Sequence, residues 1–583
     1  MRILTGALAA LLALGAAWPA AAQPLLQPEQ ATGSQPKAAV HARRFMVAAA
    51  NPFAVDAGVQ ALRRGGSVVD AAIAVQMVLG LVEPQSSGIG GGAFLLHWAR
   101  AEKRLRGYDG RETAPAAARS DRFLDASGKP LDPPAAIANG RAVGVPGVLR
   151  MLEAAHRRHG RIAWAKLFDS AIRLAEQGFP MSPRLYQLLQ AESTLRGDAA
   201  ARALYYGSDG GPRPVGALVF NREYAATLRA IATFGADAFY TGVIAEDLAR
   251  AVAAHRRPGD LTPEDLLRYR AIEREPVCGD YRGRRICSIG PPAGGVTLLQ
   301  LLGILERTPF HRAAPGSVDA LHLFSEAARL AYADRARYLA DPAFVRQPVA
   351  GLLEFDYLES RAALIGERSM RRAAPGTPRG APAMLGDSAA AEPAGTSHIS
   401  IVDARGDAVA MTTTIESAFG SRIMVRGFLL NNELTDFSPL PGNGARAGRS
   451  DTRVAANRVE PGKRPRSAMS PTFVFGRDGQ LQAVLGSPGG PAIITFVAKA
   501  LVAMLDWGMD AQSAVALPNF GSRNGPTEIE RGSAYEALAP ALRERGHEVL
   551  LVDLASGTHV IERVEGGWRG GADPRREGVA RGD

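Results

Sequence analysis

The pattern of apolar and polar positions divides this chain into a helix-rich first part and a strand-rich last part. Asn51-Pro52 opens a helical pattern that reaches Arg64 and stops at Gly65-Gly66, with a cap and proline at its start and glycine at its end. A second helix is predicted from Val68 to about Leu81, and its residues are apolar nearly all round, which predicts burial. A third long helix is predicted from Asp319 to Leu339, capped by Ser317 and stopped by Asp341-Pro342. From Arg371 to Gly395 the periodicity vanishes into Arg, Ala, Pro and Gly, a composition that buries too little apolar surface to offset its ordering entropy. This stretch reads as a flexible linker. Beyond it, strands are predicted at 398–403, 408–415, 426–430, 471–475 and 481–485, followed by a helix near 494–505.

The junction between linker and strands points to chemistry. Gly395-Thr396 stands at the first residue of a run that reads as a buried strand, and a cut there gives that strand a free N-terminus. Thr396 then carries a hydroxyl nucleophile and its own amine base. The polar turn from Asp403 to Asp407 makes the flanking strands a hairpin. If Asp403 faces Asp407, Thr396 faces Thr414, and Cβ atoms of facing residues lie about 4.5–5.5 Å apart. A slip of one residue sends Thr414 to the other face, and Thr412-Thr413-Thr414 also reads as a threonine-rich strand without a catalytic part. Gly486-Ser487-Pro488-Gly489-Gly490 follows a strand, and the amides of Gly489 and Gly490 suit an oxyanion hole. Taken alone, it also reads as an ordinary glycine turn.

Composition narrows the setting. The chain has 583 residues, 46% hydrophobic and 22% charged, as befits a large folded protein. Residues 1–22 carry one arginine, an apolar stretch and Ala20-Ala21-Ala22, the pattern of a signal peptide cleaved after Ala22; a membrane anchor is the competing reading. Residues 23–40 read as a flexible arm. Removal of the leader implies a periplasmic or secreted protein with no stable membrane span. The net charge of +10 is spread along the chain, without a basic run interleaved with aromatics, so no nucleic-acid partner is expected. Cys278 and Cys287 flank a tight turn where an exported protein can form a bond, and the sequence leaves open whether it does. Neither cysteine has metal-ligand spacing, no histidine pair does, and no cofactor is expected. His398 shares a strand face with Thr396 and reads as packing or hydrogen bonding. Gly88-x-Gly90-x-x-Ala93 imitates a dinucleotide fingerprint, but the residues from Ala93 to Trp98 read as a strand where that motif needs a helix.

Together these segments resemble the gamma-glutamyltranspeptidase family of N-terminal nucleophile hydrolases, from about Val40 to near Arg575. The motifs are Glu83-Pro84-Gln85 with Gly88-Ile89-Gly90-Gly91-Gly92-Ala93-Phe94, Asp109-Gly110-Arg111-Glu112-Thr113-Ala114-Pro115, Gly279-Asp280-Tyr281-Arg282-Gly283, Thr396-Ser397-His398, Asn431-Asn432-Glu433 with Asp436-Phe437-Ser438, Lys463-Arg464-Pro465 with Met469-Ser470-Pro471-Thr472, and the glycine segment at 486–490. The resemblance implies an α+β fold of four αββα layers. It also implies cleavage between Gly395 and Thr396 into a large subunit (to 395) and a small one (396–583) that stay together as a heterodimer. Thr396 is then similar to the family nucleophile, Thr414 to the hydroxyl that orients it, and Gly489 with Gly490 to the oxyanion hole. Arg111 matches the residue that holds the substrate α-carboxylate, and Glu433 with Asp436 the positions that receive the α-amino group. The implied activity is transfer of the gamma-glutamyl group of glutathione or a related donor to water or an amino acid.

Two positions depart from the family pattern. Glu416 replaces an asparagine, and Ser467-Ala468 replaces a Ser-Ser pair on the carboxylate. Glu416 adds negative charge, and Ala468 removes a hydroxyl whose hydrogen bond to a charged group is worth about 1.5–3 kcal/mol. An amidase acting on glutaryl or cephalosporin-type side chains is therefore a second reading, and a non-catalytic exported binding protein a third. The segment from Pro439 to Arg453, expected over the site, lacks aromatic residues.

Overall fold

A computed structural model describes residues 32–388, 390, 395–442 and 453–583. The signal-like segment 1–22, the start of the arm and most of the stretch 439–453 lie outside these residues.

Two seven-stranded sheets form the centre, and every neighbouring pair in them is antiparallel. Their strands, in chain order, are β1 (Val40–Ala42), β2 (Met46–Ala49), β3 (Gly92–Ala99), β4 (Arg104–Asp109), β5 (Ile272–Arg274), β6 (Pro276–Tyr281), β7 (Arg284–Ile289), β8 (Thr396–Val402), β9 (Ala408–Thr414), β10 (Thr472–Phe475), β11 (Leu481–Gly486), β12 (His559–Val564), β13 (Gly567–Ala572) and β14 (Val579–Gly582). One sheet runs β14-β2-β8-β9-β3-β4-β5, and the other β1-β13-β12-β11-β10-β7-β6.

Strand alternation decides what each face meets. Ile399 and Ile401 of β8, Val409 and Met411 of β9 and Leu95 of β3 pack in one core with α1 (Pro52–Arg63) and α2 (Val68–Val82). Their neighbours Val402, Ala410 and Leu96 share a second core with Phe473, Val484 and Ile561 of the facing sheet. That core continues through the facing sheet to α3 (Gly295–Glu306), α4 (Val318–Tyr338) and α5 (Ile493–Leu505). The result is the four-layer αββα sandwich.

The helices form where their end signals place them. Asn51 caps α1 through Phe53 N–H, Ser67 and Asp70 form a capping box on α2, and Ser317 caps α4. All fifteen residues of α2 are buried, in accord with its unbroken apolar surface.

Three expectations change. The run at 426–430 is not one strand but a small hairpin, Met424–Val425 against Phe428–Leu429. Its two turn residues, Arg426 and Gly427, both have positive φ, which is what a tight two-residue turn requires. The arm is anchored from Gln35 onward: Gln35 N–H donates to the Pro574 carbonyl, and Lys37 Nζ reaches the carbonyls of Asp573, Arg576 and Gly578 at 2.6–2.7 Å. Residues 371–388 have little regular structure yet are held to α4 and to the helix Phe355–Ala362 by side chains. Gly376 N–H donates to Asp334, Tyr338 donates to the Gly376 carbonyl, and Arg361 reaches the Ala374 carbonyl. Hydrogen bonds to neighbouring side chains replace the apolar burial that this composition lacks. Cys278 and Cys287 face each other across the β6–β7 hairpin and are joined in a disulfide.

Both halves of the chain build both sheets. Strand β8 lies between β9 and β2, and β9 pairs with β3, so a cut before Thr396 leaves the ladders intact.

Candidate active site

The hairpin register is the one read from the sequence: Thr396 faces Thr414 in the β8–β9 ladder. Thr396 begins β8 on the face that meets the second sheet, as do His398, which packs on Gly486, and Ser400, whose hydroxyl points to the His559 carbonyl. The two threonine hydroxyls are 3.3 Å apart. Thr414 Oγ1 accepts from Glu416 N–H at 2.8 Å, and its own proton points to the Gly395 carbonyl oxygen at 2.7 Å. Arg576, buried, donates to the Thr396 carbonyl at 3.0 Å and fixes the backbone on the other side of the bond. His398 hydrogen-bonds Thr412 and Ser400 beneath this pair, and burial holds its ring neutral. It packs and hydrogen-bonds between the two sheets.

Gly489 and Gly490 stand at the start of the short turn that leads into α5, with no side-chain cap on their amides. The first N–H groups of a helix have no partner within it. Gly489 has φ 133°, and a Cβ there would come within 2.5 Å of the Phe496 ring, so glycine alone fits. Gly490 lines the cleft that holds Thr396, and Gly489 precedes it at the start of the turn.

That cleft is also lined by Arg111, Thr414, Glu416, Glu433, Asp436, Ser467, Ala468, Met469 and Ile493. Of the residues the sequence assigned to catalysis and substrate binding, all but Gly489 line it. Arg111 follows directly on β4, its N–H donating to Asp109, whose other oxygen takes Arg274 at 2.6 Å. Its guanidinium pairs with Glu433 and, at 2.5 Å, with Asp436, and donates to the carbonyls of Pro465 and Arg466. Asn431 ties the Glu433 backbone to Gly90 and Gly144. Asn432 donates to the Glu416 carboxylate and accepts from Ser417 N–H. Ser467 Oγ accepts from Met469 N–H, which leaves its own proton for an acceptor in the cleft.

Four carboxyl groups crowd this single guanidinium. Two of them form carboxyl-to-carboxyl contacts with the others: Glu112 meets Glu433, and Glu416 meets Asp436. Burial, then the neighbouring Glu433, pushes Glu112 well above the usual carboxylate range. Burial, then Asp436 and Glu433, does the same to Glu416. Burial also raises Glu433, to about 8, against the pull of Arg111. Burial works against the charge of Arg111 too, but Glu433, Asp436 and Glu112 outweigh it and keep the guanidinium charged. A buried guanidinium set among carboxyl groups is an arrangement that can meet a carboxylate and an amine at once.

Two participants escaped the sequence reading. Glu112 sits inside a motif already noted, next to Arg111, and its neighbour was the available signal. Arg576 lies 180 positions from Thr396, and nothing local marks it. The fold also assembles His322, Glu326 and His547, three residues with metal-binding atoms close together. Their atoms are engaged elsewhere: His322 bonds His547 and the Gly366 carbonyl, His547 bonds Thr527, and Glu326 takes Arg329, Ser369 and Met370 N–H. The cluster ties the 366–371 loop to α4.

Residues 54–582 match the sequence profile of a family described as Gamma-glutamyltranspeptidase. The glutathione hydrolase proenzyme of Bacillus subtilis (strain 168) is 35% identical over 92% of this chain and 91% of its own. The Acylase ACY 1 proenzyme of Pseudomonas sp. (strain SE83) is also 35% identical, over 87% of each chain. Among solved structures, the cephalosporin acylase from Bacillus halodurans superposes with a TM-score of 0.81 at 27% identity, covering 95% of this chain and 99% of that one.

Proposed function

The chain belongs to the gamma-glutamyltranspeptidase family, and on that premise we propose that it is a self-processing gamma-glutamyl transferase and hydrolase whose nucleophile is Thr396. The observation that carries this reading is the alignment of Thr396, Thr414 and the Gly395 carbonyl on one hairpin edge.

Processing begins when Thr396 Oγ1 attacks the Gly395 carbonyl carbon. The developing oxyanion takes a hydrogen bond from Thr414, already 2.7 Å from that oxygen. The C–N bond breaks, the Thr396 nitrogen takes a proton, and water hydrolyses the resulting ester to leave Gly395 with a carboxylate. The freed amine then serves as the base for the same hydroxyl. In turnover Thr396 attacks the γ-amide carbonyl of the donor, the amides of Gly489 and Gly490 receive the oxyanion, and the leaving amine carries off a proton. The γ-glutamyl ester is resolved by water or by the amine of an acceptor amino acid. Arg111 holds the donor's α-carboxylate, while Glu433 and Asp436 hold its α-ammonium. Glutathione fits this description of a donor. The leader-like pattern of residues 1–22 supports a periplasmic or secreted setting for the reaction.

A second reading, an amidase for glutaryl or cephalosporin-type side chains, draws on the acylase relatives and on Ala468, which leaves Ser467 as the hydroxyl beside Arg111 in the cleft.

Intact mass of purified wild type and Thr396→Ala tests the nucleophile. Wild type is expected as two fragments meeting between Gly395 and Thr396, and the variant as one chain. An uncut wild type, or a variant split at the same bond, sinks the proposal.

A further inference from the structure

The loop that joins β13 to β14, residues 573–578, passes beside Thr396. From it the buried Arg576 side chain donates to the Thr396 carbonyl at 3.0 Å and reaches the Ala555 carbonyl at 3.4 Å. Gly557 makes room for it, since a Cβ there would come within 2.7 Å of the arginine chain. The Thr396 carbonyl belongs to the same residue as the Thr396 hydroxyl, so this bond restrains the backbone from which that hydroxyl projects. A loop can restrain another segment only if its own backbone is held, and loops lack the ladder bonds that hold strands.

The hold comes from the arm that precedes β1. Strand β1 pairs antiparallel with β13, Val40 opposite Gly570, and the same register carried three residues back sets Lys37 opposite Asp573. Gln35 N–H donates to the Pro574 carbonyl at 2.9 Å, which continues the pairing past the end of the ladder. Lys37 Nζ then spends its three donors on three carbonyls of this one loop, Asp573 at 2.7 Å and Arg576 and Gly578 at 2.6 Å. Among side chains only an ammonium offers three donors about one atom. Arg576 is thus gripped at its carbonyl by Lys37 while its guanidinium grips Thr396, and a single residue links the arm to the catalytic hairpin.

Resting on the reading of Thr396 as nucleophile, we propose that Lys37 is a positioning residue: it clamps the 573–578 loop so that Arg576 holds the Thr396 backbone in place for attack. Loss of the ammonium releases the three carbonyls together, the Arg576 backbone drifts, and its bond to Thr396 goes with it. A misplacement of about 1 Å at a reacting group is enough to cost about a hundredfold in rate. The head-group residues Arg111, Glu433 and Asp436 lie on other segments, so the loss falls on kcat and on self-cleavage, and KM is spared.

The test follows self-cleavage and hydrolysis of a γ-glutamyl p-nitroanilide by wild type, Lys37→Met, Arg576→Gln and the double variant, with thermal melts as the readout of folding. Lys37→Met is expected to fold and to cleave itself at least roughly tenfold more slowly. Per cleaved molecule it is expected to lose at least about tenfold in kcat, with KM within about threefold of wild type. The double variant is expected within about twofold of Arg576→Gln alone, because both changes break one linkage. Thr32→Val removes a contact of the arm with Arg184, outside the loop, and is expected to match wild type. Lys37→Met rates equal to wild type, a loss confined to KM, or losses that multiply in the double variant overturn the proposal. A Thr32→Val loss as large as that of Lys37→Met does so too, by assigning the effect to the arm as a whole. Should Lys37→Met not fold, Lys37→Arg takes its place under the same expectations, since a planar guanidinium cannot set three donors around one nitrogen. Should Arg576→Gln show no turnover, the split between kcat and KM in the lysine variant decides. An uncut wild type overturns the reading of Thr396 itself.

Discussion

The hydroxyl of Thr414 lies 2.7 Å from the carbonyl oxygen of Gly395, closer than it lies to the Thr396 hydroxyl at 3.3 Å. In the proposed mechanism, Thr414 therefore serves the Gly395–Thr396 bond first and the Thr396 hydroxyl second.

Thr414→Val keeps the shape of β9 and removes that donor. Self-cleavage is expected to slow by about a hundredfold or more, the cost of losing one oxyanion donor. Gly395 and Glu416 also lose a buried partner, which costs about 1–3 kcal/mol in stability. A time course of fragment appearance on denaturing gels, beside urea denaturation, measures both effects.

Gly489→Ala puts a methyl group against Phe496 at a backbone angle foreign to alanine. The strain is about 1–3 kcal/mol, and relief by tilting the turn moves the Gly490 amide off the oxyanion. A fall in kcat of about a hundredfold, with KM little changed, is expected in steady-state kinetics. An equal loss in KM alone would assign the turn to substrate binding.

Arg111→Lys keeps the charge but not the fork that spans Glu433, Asp436 and two carbonyls. KM for a γ-glutamyl donor is expected to rise more than tenfold. Arg111→Met leaves the carboxyl groups without a counter-charge and is expected to lose about 3–5 kcal/mol of stability. Kinetics on the first variant and denaturation of the second check these outcomes.

Lys499 of α5 is a buried amine that does not line the cleft, pushed down to about 7 by burial, with Arg575 adding repulsion. Because the folded-state value is lowered, the native protein holds fewer protons than the unfolded chain between about pH 7 and the usual lysine range. Stability therefore rises with pH across that window. Lys499→Met removes the penalty, while Arg575 still donates to the carbonyls of Val515 and Leu517 that Lys499 shares. The variant is expected to be more stable than wild type at pH 7, with the difference shrinking by pH 10. A constant difference in urea midpoints would place its cause in packing instead.

Much of this site was legible because its parts are local. The β8–β9 register follows from one polar turn and the two-residue period, so Thr414 was placed opposite Thr396 by counting. The caps of α1, α2 and α4 are short-range signals of the same kind. Where the reading went astray, the missing term was tertiary. Residues 371–388 have the composition of a free linker, and only Asp334, Tyr338 and Arg361 on neighbouring helices give their backbone polar groups partners. Positive φ at both Arg426 and Gly427 turned a short apolar run into a hairpin.

By itself, then, the sequence determined the register that sets Thr396 against Thr414 and the glycine turn at 489–490, since strand period and turn chemistry act over a few residues. It also put Arg111, Glu416, Glu433, Asp436, Ser467 and Ala468 on one short roster of candidates through family resemblance. Only the tertiary structure decided how their charges combine. Glu112 and Glu433 lie 321 positions apart and Glu416 and Asp436 lie 20 apart, and a carboxyl's proton depends on burial and on neighbours that only packing brings together.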